Sequence, residues 1–466
     1  MPHSVRPDQG GPQLNRRLVL GAAAALVVVL TVGGYVAALY LHPRASGVAA
    51  GPDVQVDALP SGTSLPWAYA QGPVQGVQPS AAVGSGGQVY VSWIGYSTSS
   101  PQVDPSSSQD FRTQILFSAS TDGGESYSPP VDVSNSTDPL SYSCFDPSTA
   151  VAPNGTLVYV AYACYQDGGF ATSIMVAKGV EGSSDQFNFT QSAVSVGIGF
   201  NSPWILASKG GAVNIAWDSS YALYWATMRP NMTLSRPSSN YFPTRYGWIT
   251  GAALLPNGTL AVSAYGYSDP TPGNSSISVL YAPLARGSQA GRLAWSTVAN
   301  YTVPTEMYVG GNDSFAPGPA LAVAADGTPY VAYAADDGHS LLLTWLEPGK
   351  SSWSPPVPVA SSAAGMVQAP ALASGGKFVA VTWMGNSTGA WDAYFSAYQT
   401  STLKLEGPTL LSSEPGFPST PMTWHGDFTS VEQVGSSGFV ALWSDGRGLS
   451  DYYGYGHVYS SLVSVG

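Results

Sequence analysis

A strand–turn–strand pattern recurs seven times after residue 75. In each copy an apolar strand leads through a tight turn into a second apolar strand that ends in Trp or Tyr. These second strands are Val89–Trp93, Val158–Tyr162, Asn214–Trp217, Ala261–Tyr265, Tyr330–Tyr333, Val379–Trp383 and Phe439–Trp443. Successive closing aromatic residues are 48 to 69 residues apart. A unit of this size cannot bury its own apolar face, so the copies must pack against one another in a repeat architecture.

Turn chemistry defines the strands within a copy. Asn-Gly or Asp-Gly stands between two apolar runs at residues 154–155, 257–258 and 326–327, and this is the strongest local signal of a β-hairpin. A more polar third strand follows, as at Gln114–Ser120 and Ile277–Pro283, and then a weaker fourth strand, as at Pro129–Ser134 and Pro355–Ala360. Radial repetition of four-stranded sheets limits the exposed sheet edges. The sequence therefore predicts an all-β fold, a seven-bladed β-propeller.

The seventh copy needs a strand from elsewhere in the chain, because no fourth strand follows its third. An otherwise unassigned extended segment, Leu65–Val77, precedes the first copy. We expect Leu65–Val77 to supply the missing outer strand and to close the ring.

The N-terminal region is typical of a membrane anchor. Leu18–Leu41 contains 24 residues and no charge, which is long enough to cross a bilayer. Arg6, Arg16 and Arg17 precede it, which predicts a cytoplasmic N-terminus and an extracellular propeller. The alternative is a signal peptide cleaved near Ala45–Ala50, although the apolar region of such peptides is usually shorter. The predicted organisation is a cytoplasmic N-terminus at 1–17, a single-pass anchor in the cell membrane at 18–41, a flexible linker at 42–64 and an extracellular propeller at 65–466.

The charge of the chain excludes one class of partner. Charged residues are only 9% of the sequence and the net charge is −12 at pH 7, whereas average soluble proteins contain about 25% charged residues. Binding to nucleic acid phosphates requires clustered cations. No nucleic acid partner is therefore expected.

Asparagine and cysteine patterns agree with export. Nine of the 13 Asn residues begin the N-glycosylation acceptor Asn-x-Ser/Thr, although Asn is also common in turns. The nine are Asn135, Asn154, Asn188, Asn231, Asn257, Asn274, Asn300, Asn312 and Asn386. The only cysteines, Cys144 and Cys164, flank the hairpin turn at residues 154–155. They fall nearly opposite each other across that hairpin, which predicts a disulfide bond.

Two segments carry a family resemblance. Ser120–Tyr127 has the form Ser-x-Asp-x-Gly-x-x-aromatic and resembles the Asp-box (BNR) hairpin of sialidase-like propellers, which occupies the turn between the third and fourth strands. His425–Gly448 resembles the last-blade pattern of BNR-like proteins. The resemblance implies a propeller, with the six blades of sialidases as the alternative to seven. The chain lacks the Phe/Tyr-Arg-Ile-Pro segment of sialidases, so the resemblance implies the fold more strongly than the activity.

Propeller geometry places the candidate ligand-binding residues on one face. Loops that join second to third strands, or one blade to the next, surround the same end of the central channel. Carboxylates from several blades could share a proton, bind a cation or orient sugar hydroxyls there. Turn capping by Asp is the alternative for each. The candidates are Asp146, Asp218, Asp336, His425, Asp427, Asp445 and Arg447.

A sialidase-type mechanism would need three cations for a substrate carboxylate, a Tyr nucleophile polarised by Glu, and an acidic proton donor. By topology alone the cations would be Arg112, Arg245 and Arg447, the nucleophile pair Tyr308 and Glu306, and the donor Asp146. No zinc-like cluster or phosphate loop is present in the sequence. We therefore expect no cofactor and no metal, except that calcium would suit a carboxylate cluster.

The sequence favours a membrane-anchored extracellular recognition module. Its partners would be the membrane, through the N-terminal helix, and a glycan or a cell-surface protein at the loop-rich face. An exo-acting glycoside hydrolase of sialidase type is one alternative, and a structural envelope protein is another.

Overall fold

The computed structural model describes sixteen stretches of the chain. They are residues 47–58, 75–97, 112–134, 142–166, 171–182, 187–198, 200–208, 210–219, 221–243, 246–267, 275–283, 295–301, 318–361, 365–418, 429–447 and 456–466. The predicted anchor, residues 18–41, lies outside them. Within these stretches no helix has the length and apolar character needed to span a membrane.

The described residues form seven antiparallel sheets. Outside the seven repeats, β1 is Val48–Gln55. Blade one contains β2 Gln75–Val83, β3 Val89–Ser97, β4 Arg112–Ser120 and β5 Val131–Asp132; blade two contains β6 Tyr142–Val151, β7 Leu157–Gln166, β8 Ala171–Glu181 and β9 Phe187–Ile198. Blade three contains β10 Phe200–Ala207, β11 Val213–Ser219, β12 Ala222–Met228 and β13 Ser238–Tyr241; blade four contains β14 Tyr246–Leu254, β15 Thr259–Tyr267, β16 Ser275–Pro283 and β17 Trp295–Tyr301.

The remaining blades follow the same order. Blade five contains β18 Ala320–Val323, β19 Pro329–Ala334, β20 Ser340–Trp345 and β21 Val357–Ser361; blade six contains β22 Val367–Gly375, β23 Phe378–Gly385, β24 Ala390–Gln399 and β25 Lys404–Leu410, with β26 Phe417–Pro418 also paired to β24. Blade seven contains β27 Ser430–Val434, β28 Gly438–Asp445 and β29 His457–Val465. Each repeat of the sequence supplies the first two strands of one sheet, so the prediction of a seven-bladed propeller is confirmed.

The aromatic residue that closes each repeat is buried in the described core. All seven are at most 7% exposed: Trp93, Tyr162, Trp217, Tyr265, Tyr333, Trp383 and Trp443. In some blades its ring stacks on an aromatic ring of the third strand, for example Trp217 on Tyr224 at 5.8 Å and Trp383 on Tyr394 at 5.7 Å between centroids. The repeat is therefore a packing repeat, which explains why it is visible in the sequence.

Strand β1 closes the ring. It pairs antiparallel with β29, from Val48 opposite Val465 to Gln55 opposite Tyr459. The prediction that Leu65–Val77 supplies this strand is wrong, and the segment predicted as a linker at 42–64 contains the closing strand, so the propeller begins before residue 65. Gly51 and Pro52 gave the segment the composition of a linker. They fall where the ladder shifts register between Ala50 and Asp53, and an edge strand tolerates Pro at such a bulge.

The Asp-box lies between β4 and β5, as the resemblance implies. Asp122 Oδ1 accepts hydrogen bonds from the Ser120 hydroxyl at 2.7 Å and from the Ser126 N–H at 2.9 Å. Slight burial opposes the charged form of Asp122, but the hydrogen bonds from Ser126 and Ser120 prevail and lower its pKa to about 2. Tyr127 packs against the apolar cluster that contains Val440 of blade seven. The motif therefore helps to join the first blade to the last.

The predicted disulfide is also confirmed. Cys144 of β6 lies directly opposite Cys164 of β7, and their sulfur atoms are bonded.

Candidate functional site

A cavity of about 180 Å³ lies on the axis of the ring. The first strand of every blade contributes to its wall, at residues 78–81, 146–149, 202–206, 249, 250, 252, 320, 321, 370–372 and 429–432. Each first strand begins at the loop that enters its blade, so the level of Gln78, Asp146 and Ser202 faces the loop-rich end of the channel. We call this level the channel mouth.

Four blades carry the same backbone irregularity at this level. Gln78, Asp146, Ser202 and Ala369 have φ angles between 45° and 55°, and each directly precedes a proline. The β-ladder shifts register at all four positions. A positive φ is uncommon outside glycine, and bulges and strained residues cluster at functional sites, where they re-aim side chains. The channel mouth is therefore the part of the described structure whose backbone departs most regularly from simple strand geometry.

Two carboxyl groups connect successive blades, Asp146 from blade two to blade three and Asp218 from blade three to blade four. Asp146 lies in the cavity wall, and its Oδ2 accepts a hydrogen bond from the Ser202 N–H at 3.2 Å. Burial raises the pKa of Asp146 to about 6. Behind it, Asp218 is fully buried, and its Oδ2 accepts from the Ile249 N–H at 2.8 Å. Burial, with a smaller contribution from the charge of Asp146, raises the pKa of Asp218 well above its ordinary value.

Several oxygen atoms near the mouth have no hydrogen-bond donor in the described part of the chain. They are Oε1 of Gln78, Oδ1 of Asn201 and Oδ1 of Asp218. Gln78 is only 6% exposed and lines the cavity, while Asn201 lies directly opposite Asp218 in the ladder between β10 and β11. A buried acceptor without a donor is costly, and of these three residues Gln78 belongs to the described cavity wall.

Deeper in the channel the wall combines one further carboxyl group with hydroxyls. Glu432 is half-buried, and burial raises its pKa to about 8. Ser80, Ser148 and Ser430 each accept a backbone N–H of the next blade at 3.0 to 3.2 Å, so each O–H remains able to donate. The described wall contains no Lys, Arg or His. The cavity therefore offers hydrogen-bond acceptors and hydroxyls but no positive charge.

The predicted site residues are not all brought together. Asp146 lines the cavity with Asp218 behind it, whereas Asp336 is exposed in the turn between β19 and β20. Asp445 and Arg447 are not part of the cavity wall. The structure does not describe the side chains of six predicted site residues. They are Arg112, the first residue of β4, and Arg245, Glu306, Tyr308, His425 and Asp427. The sialidase-type catalytic assignment therefore stays a prediction.

Arg447 and Asp445 belong to the seam where β1 joins blade seven. The Arg447 guanidinium donates hydrogen bonds to two carboxylates. Nε donates to Asp445 Oδ2 at 2.9 Å, and Nη1 donates to Asp53, a residue of β1. Burial opposes its charge, but the carboxylates of Asp445 and Asp53 raise its pKa. His457 and Asp57 form a second pair at 3.0 Å along the same seam, and the hydrogen bond that His457 Nδ1 donates to Asp57 Oδ2 raises the pKa of His457. Along this seam each of these carboxylates is paired with a basic side chain.

The sequence carried a signal for the channel mouth that residue-by-residue reasoning missed. The segments Gln78-Pro79, Asp146-Pro147, Ser202-Pro203 and Ala369-Pro370 recur at the same level of the first strands. Pro in an inner strand is unusual and marks a bulge or an edge. Of the residues before these prolines, only Asp146 was singled out. Gln78 and Ser202 were not, and neither was Glu432 of the cavity wall, which precedes no proline.

The described residues contain no metal-binding cluster. No group of three or more His, Cys, Asp or Glu side chains among them is arranged to hold a metal ion. Calcium therefore stays a prediction from the sequence alone.

Comparison with known proteins finds distant structural neighbours only. No family model matches the chain, and no curated protein matches it. A solved structure of a Dyadobacter fermentans protein of unknown function is 11% identical, with a TM-score of 0.48 over 90% of this chain and 100% of the other. The Penicillium chrysogenum α-L-arabinanase is 13% identical, with a TM-score of 0.48 over 90% and 99%. The Hadza microbial sialidase Hz136 is 10% identical, with a TM-score of 0.46 over 84% and 66%.

The neighbours thus include sialidases, the group that the Asp-box sequence resembles. At these identities and TM-scores the likeness carries no argument about activity.

Proposed function

We propose that the protein is a membrane-anchored extracellular recognition module that binds a neutral, hydroxyl-rich glycan unit at the channel mouth. One observation carries the proposal: the described cavity wall presents the Gln78 amide oxygen, which has no donor there, and serine hydroxyls, but no cation. Sugar hydroxyls donate and accept at once, so they match both kinds of group. An anionic sugar would find no positive charge in the described wall to compensate its own.

The size and lining of the cavity favour a small unit over a protein surface. A volume of about 180 Å³ is below the roughly 300–1,000 Å³ of sites for larger ligands. Trp204, Leu321 and Leu372 contribute to the same wall, and a sugar ring has apolar C–H faces that can contact apolar residues. A few convergent polar groups on an apolar wall are the usual composition of a small-molecule site.

Sequence features support the extracellular location. The uncharged segment Leu18–Leu41 follows three arginines, the arrangement of an anchor with its N-terminus inside. The acceptor asparagines that are exposed in the described residues are Asn154, Asn188, Asn231, Asn257 and Asn300, while Asn386 is half-buried. Asn135, Asn274 and Asn312 lie outside the described residues. Exposure makes the first five accessible to glycosylation.

Calorimetric titration of the full chain in nanodiscs tests the proposal. The panel is the methyl glycosides of glucose, galactose, mannose and N-acetylglucosamine, with sialyllactose as the anionic comparison. We expect at least one neutral glycoside to bind and sialyllactose not to bind. Gln78→Met removes the unpartnered amide at nearly constant volume and should weaken binding about 2- to 12-fold, the range for one hydrogen bond.

Gln114→Met is the matched control. Gln114 is also buried with an Oε1 that lacks a described donor, but it lies on β4, outside the cavity wall. It should leave affinity unchanged. Equal losses in the two variants, or no neutral glycoside bound by the wild type, would contradict the proposal.

A glycoside hydrolase is the second candidate, and one observation favours it. The pKa of Asp146, about 6, suits a general acid near neutral pH. Turnover of a fluorogenic neutral glycoside by the wild type, with loss of turnover but not of binding in Asp146→Asn, would favour this candidate over a pure recognition module.

A further inference from the structure

An exposed aromatic stack lies beside Asp146. The rings of Phe145 and Tyr165 are 4.7 Å apart between centroids and inclined by 20°. Phe145 is half-buried and is the chain neighbour of Asp146, while Tyr165 is 39% exposed. The repeat aromatics are buried, so an exposed ring stacked on the chain neighbour of Asp146 departs from the packing pattern of this chain.

Phe145 and Asp146, neighbours in β6, both reach blade three. Phe145 packs against the apolar cluster that contains Ile205 and Trp217 of blade three. Asp146 Oδ2 reaches the Ser202 N–H of that blade. This part of β6 therefore brings a flat aromatic surface and a carboxyl group to neighbouring positions, and a sugar ring needs both kinds of contact.

The Cys144–Cys164 disulfide fixes this geometry. Cys144 directly precedes Phe145, and Cys164 directly precedes Tyr165, so the cross-link holds both strands one residue before the stack. The ladder shifts register immediately afterwards, between Phe145 and Ser148. The disulfide thus ties the two strands together where their regular pairing ends. No other disulfide is possible in the chain, which has two cysteines.

We propose that Tyr165 is a stacking platform for a sugar ring whose hydroxyls reach Asp146, and that the Cys144–Cys164 disulfide is the positioning element of this subsite. The inference rests on the proposed function and names a part of the same site. Aromatic side chains offer a rigid, largely apolar surface with little conformational entropy to lose. A cross-link that prevents the two strands from separating at the bulge preserves the spacing between ring and carboxyl group.

The first test replaces the ring. The probe is the methyl glycoside from the panel above that binds the full-length wild type most tightly, titrated in nanodiscs. Tyr165→Ala should weaken binding about 2- to 12-fold, the range for loss of one aromatic contact, whereas Tyr165→Phe should keep the wild-type affinity. Tyr241→Ala is the control, because Tyr241 is 79% exposed on the outer strand of blade three and should have no effect.

The second test is a double-mutant cycle. Cys144→Ala/Cys164→Ala should weaken binding in the wild-type background, about 3-fold or more, and should cause no further loss when Tyr165 is already Ala, because a positioning role needs the ring that it positions. Additive losses would assign the disulfide a general stabilising role and overturn the positioning claim. Near-ultraviolet circular dichroism at the assay temperature shows whether each variant is folded. If the disulfide variant is unfolded, the single Tyr165 variants still decide the stacking claim.

The two levels of the proposal fail separately. If the wild type binds no glycoside of the panel, the proposed function fails. If the wild type binds and Gln78→Met weakens binding while Tyr165→Ala does not, the channel mouth stands and the stacking subsite is overturned.

Discussion

Removing the Arg447 guanidinium should weaken the ring at its seam. The side chains of Arg447 and Asp53 are each 10% exposed and that of Asp445 is 2% exposed, so Arg447→Met leaves two largely buried carboxylates without their counter-charge. Removing one partner of a buried ion pair costs about 3–5 kcal/mol. With an unfolding entropy of roughly 2.1 cal/mol/K per residue over about 420 residues, this corresponds to a fall in Tm of about 3–6 °C.

Differential scanning calorimetry of the full chain measures this fall. Lys404→Met is the control, because Lys404 pairs with Glu406 while its side chain is 57% exposed, and such surface pairs contribute about 0–1 kcal/mol. Burial opposes ionisation of Asp53, but hydrogen bonds from Arg447 and Ser413 lower its pKa. Its stabilising effect is therefore present above the unfolded pKa and is lost as the pH falls through the folded one, so the difference between wild type and Arg447→Met should shrink in acid. Equal small shifts for both variants, or loss of glycoside binding without a fall in Tm, would refute the structural role.

Three further predictions concern the channel, the Asp-box and the closing strand. Burial raises the pKa of Glu432 from 4.5 to about 8, so the wild type loses stability as the pH rises through that window, by up to about 1.4 kcal/mol per unit. Glu432→Gln should unfold at a higher temperature than wild type at pH 9 and at nearly the same temperature at pH 4.5; a difference independent of pH would contradict this. Asp122→Ala should cost about 1 kcal/mol in urea unfolding at pH 7, and the loss should fade near pH 2 as the wild-type carboxyl is protonated; no loss at pH 7 would count against the turn-capping role. Deletion of residues 47–57 leaves β29 as an unpaired edge, which should give aggregates in size-exclusion chromatography; a monomer with wild-type Tm would show that β1 is dispensable.

The blade count could be predicted because its causes are local. The closing aromatics recur since each fills the same buried place, as Trp93 and Trp443 do. Asn154-Gly155 forms a tight turn because Gly155 adopts a φ of 73°, which glycine tolerates without strain. The Asp-box predicted its own position because Asp122 caps the turn that contains it. These signals lie within a few residues of the structure that they specify.

The seam could not be predicted because its partners are distant in sequence. Val48 pairs with Val465, and no residue near Gly51-Pro52 indicates that this segment pairs with the edge of β29. Arg447 and Asp445 were assigned to a ligand because both follow a second strand on the loop-rich face. Their third partner, Asp53, lies 394 residues from Arg447, so their role at the seam was invisible. The bulges at the channel mouth have a local signal, a Pro in the first strand of four blades. This signal was missed because the four prolines were not compared with one another as a repeat.

The seam and the channel mouth treat carboxyl groups in opposite ways, and the contrast argues for function at the mouth. At the seam Asp53 and Asp445 face Arg447, and Asp57 faces His457. At the mouth and below it, Asp146 and Glu432 have raised pKa values and no cation in the described wall. Folding alone gains nothing from this arrangement, since an apolar residue at either position would avoid the desolvation of a carboxyl group. The seam pairs its carboxylates with basic side chains, whereas the described cavity wall offers none to Asp146 and Glu432, and such departures are expected where a ligand completes the structure.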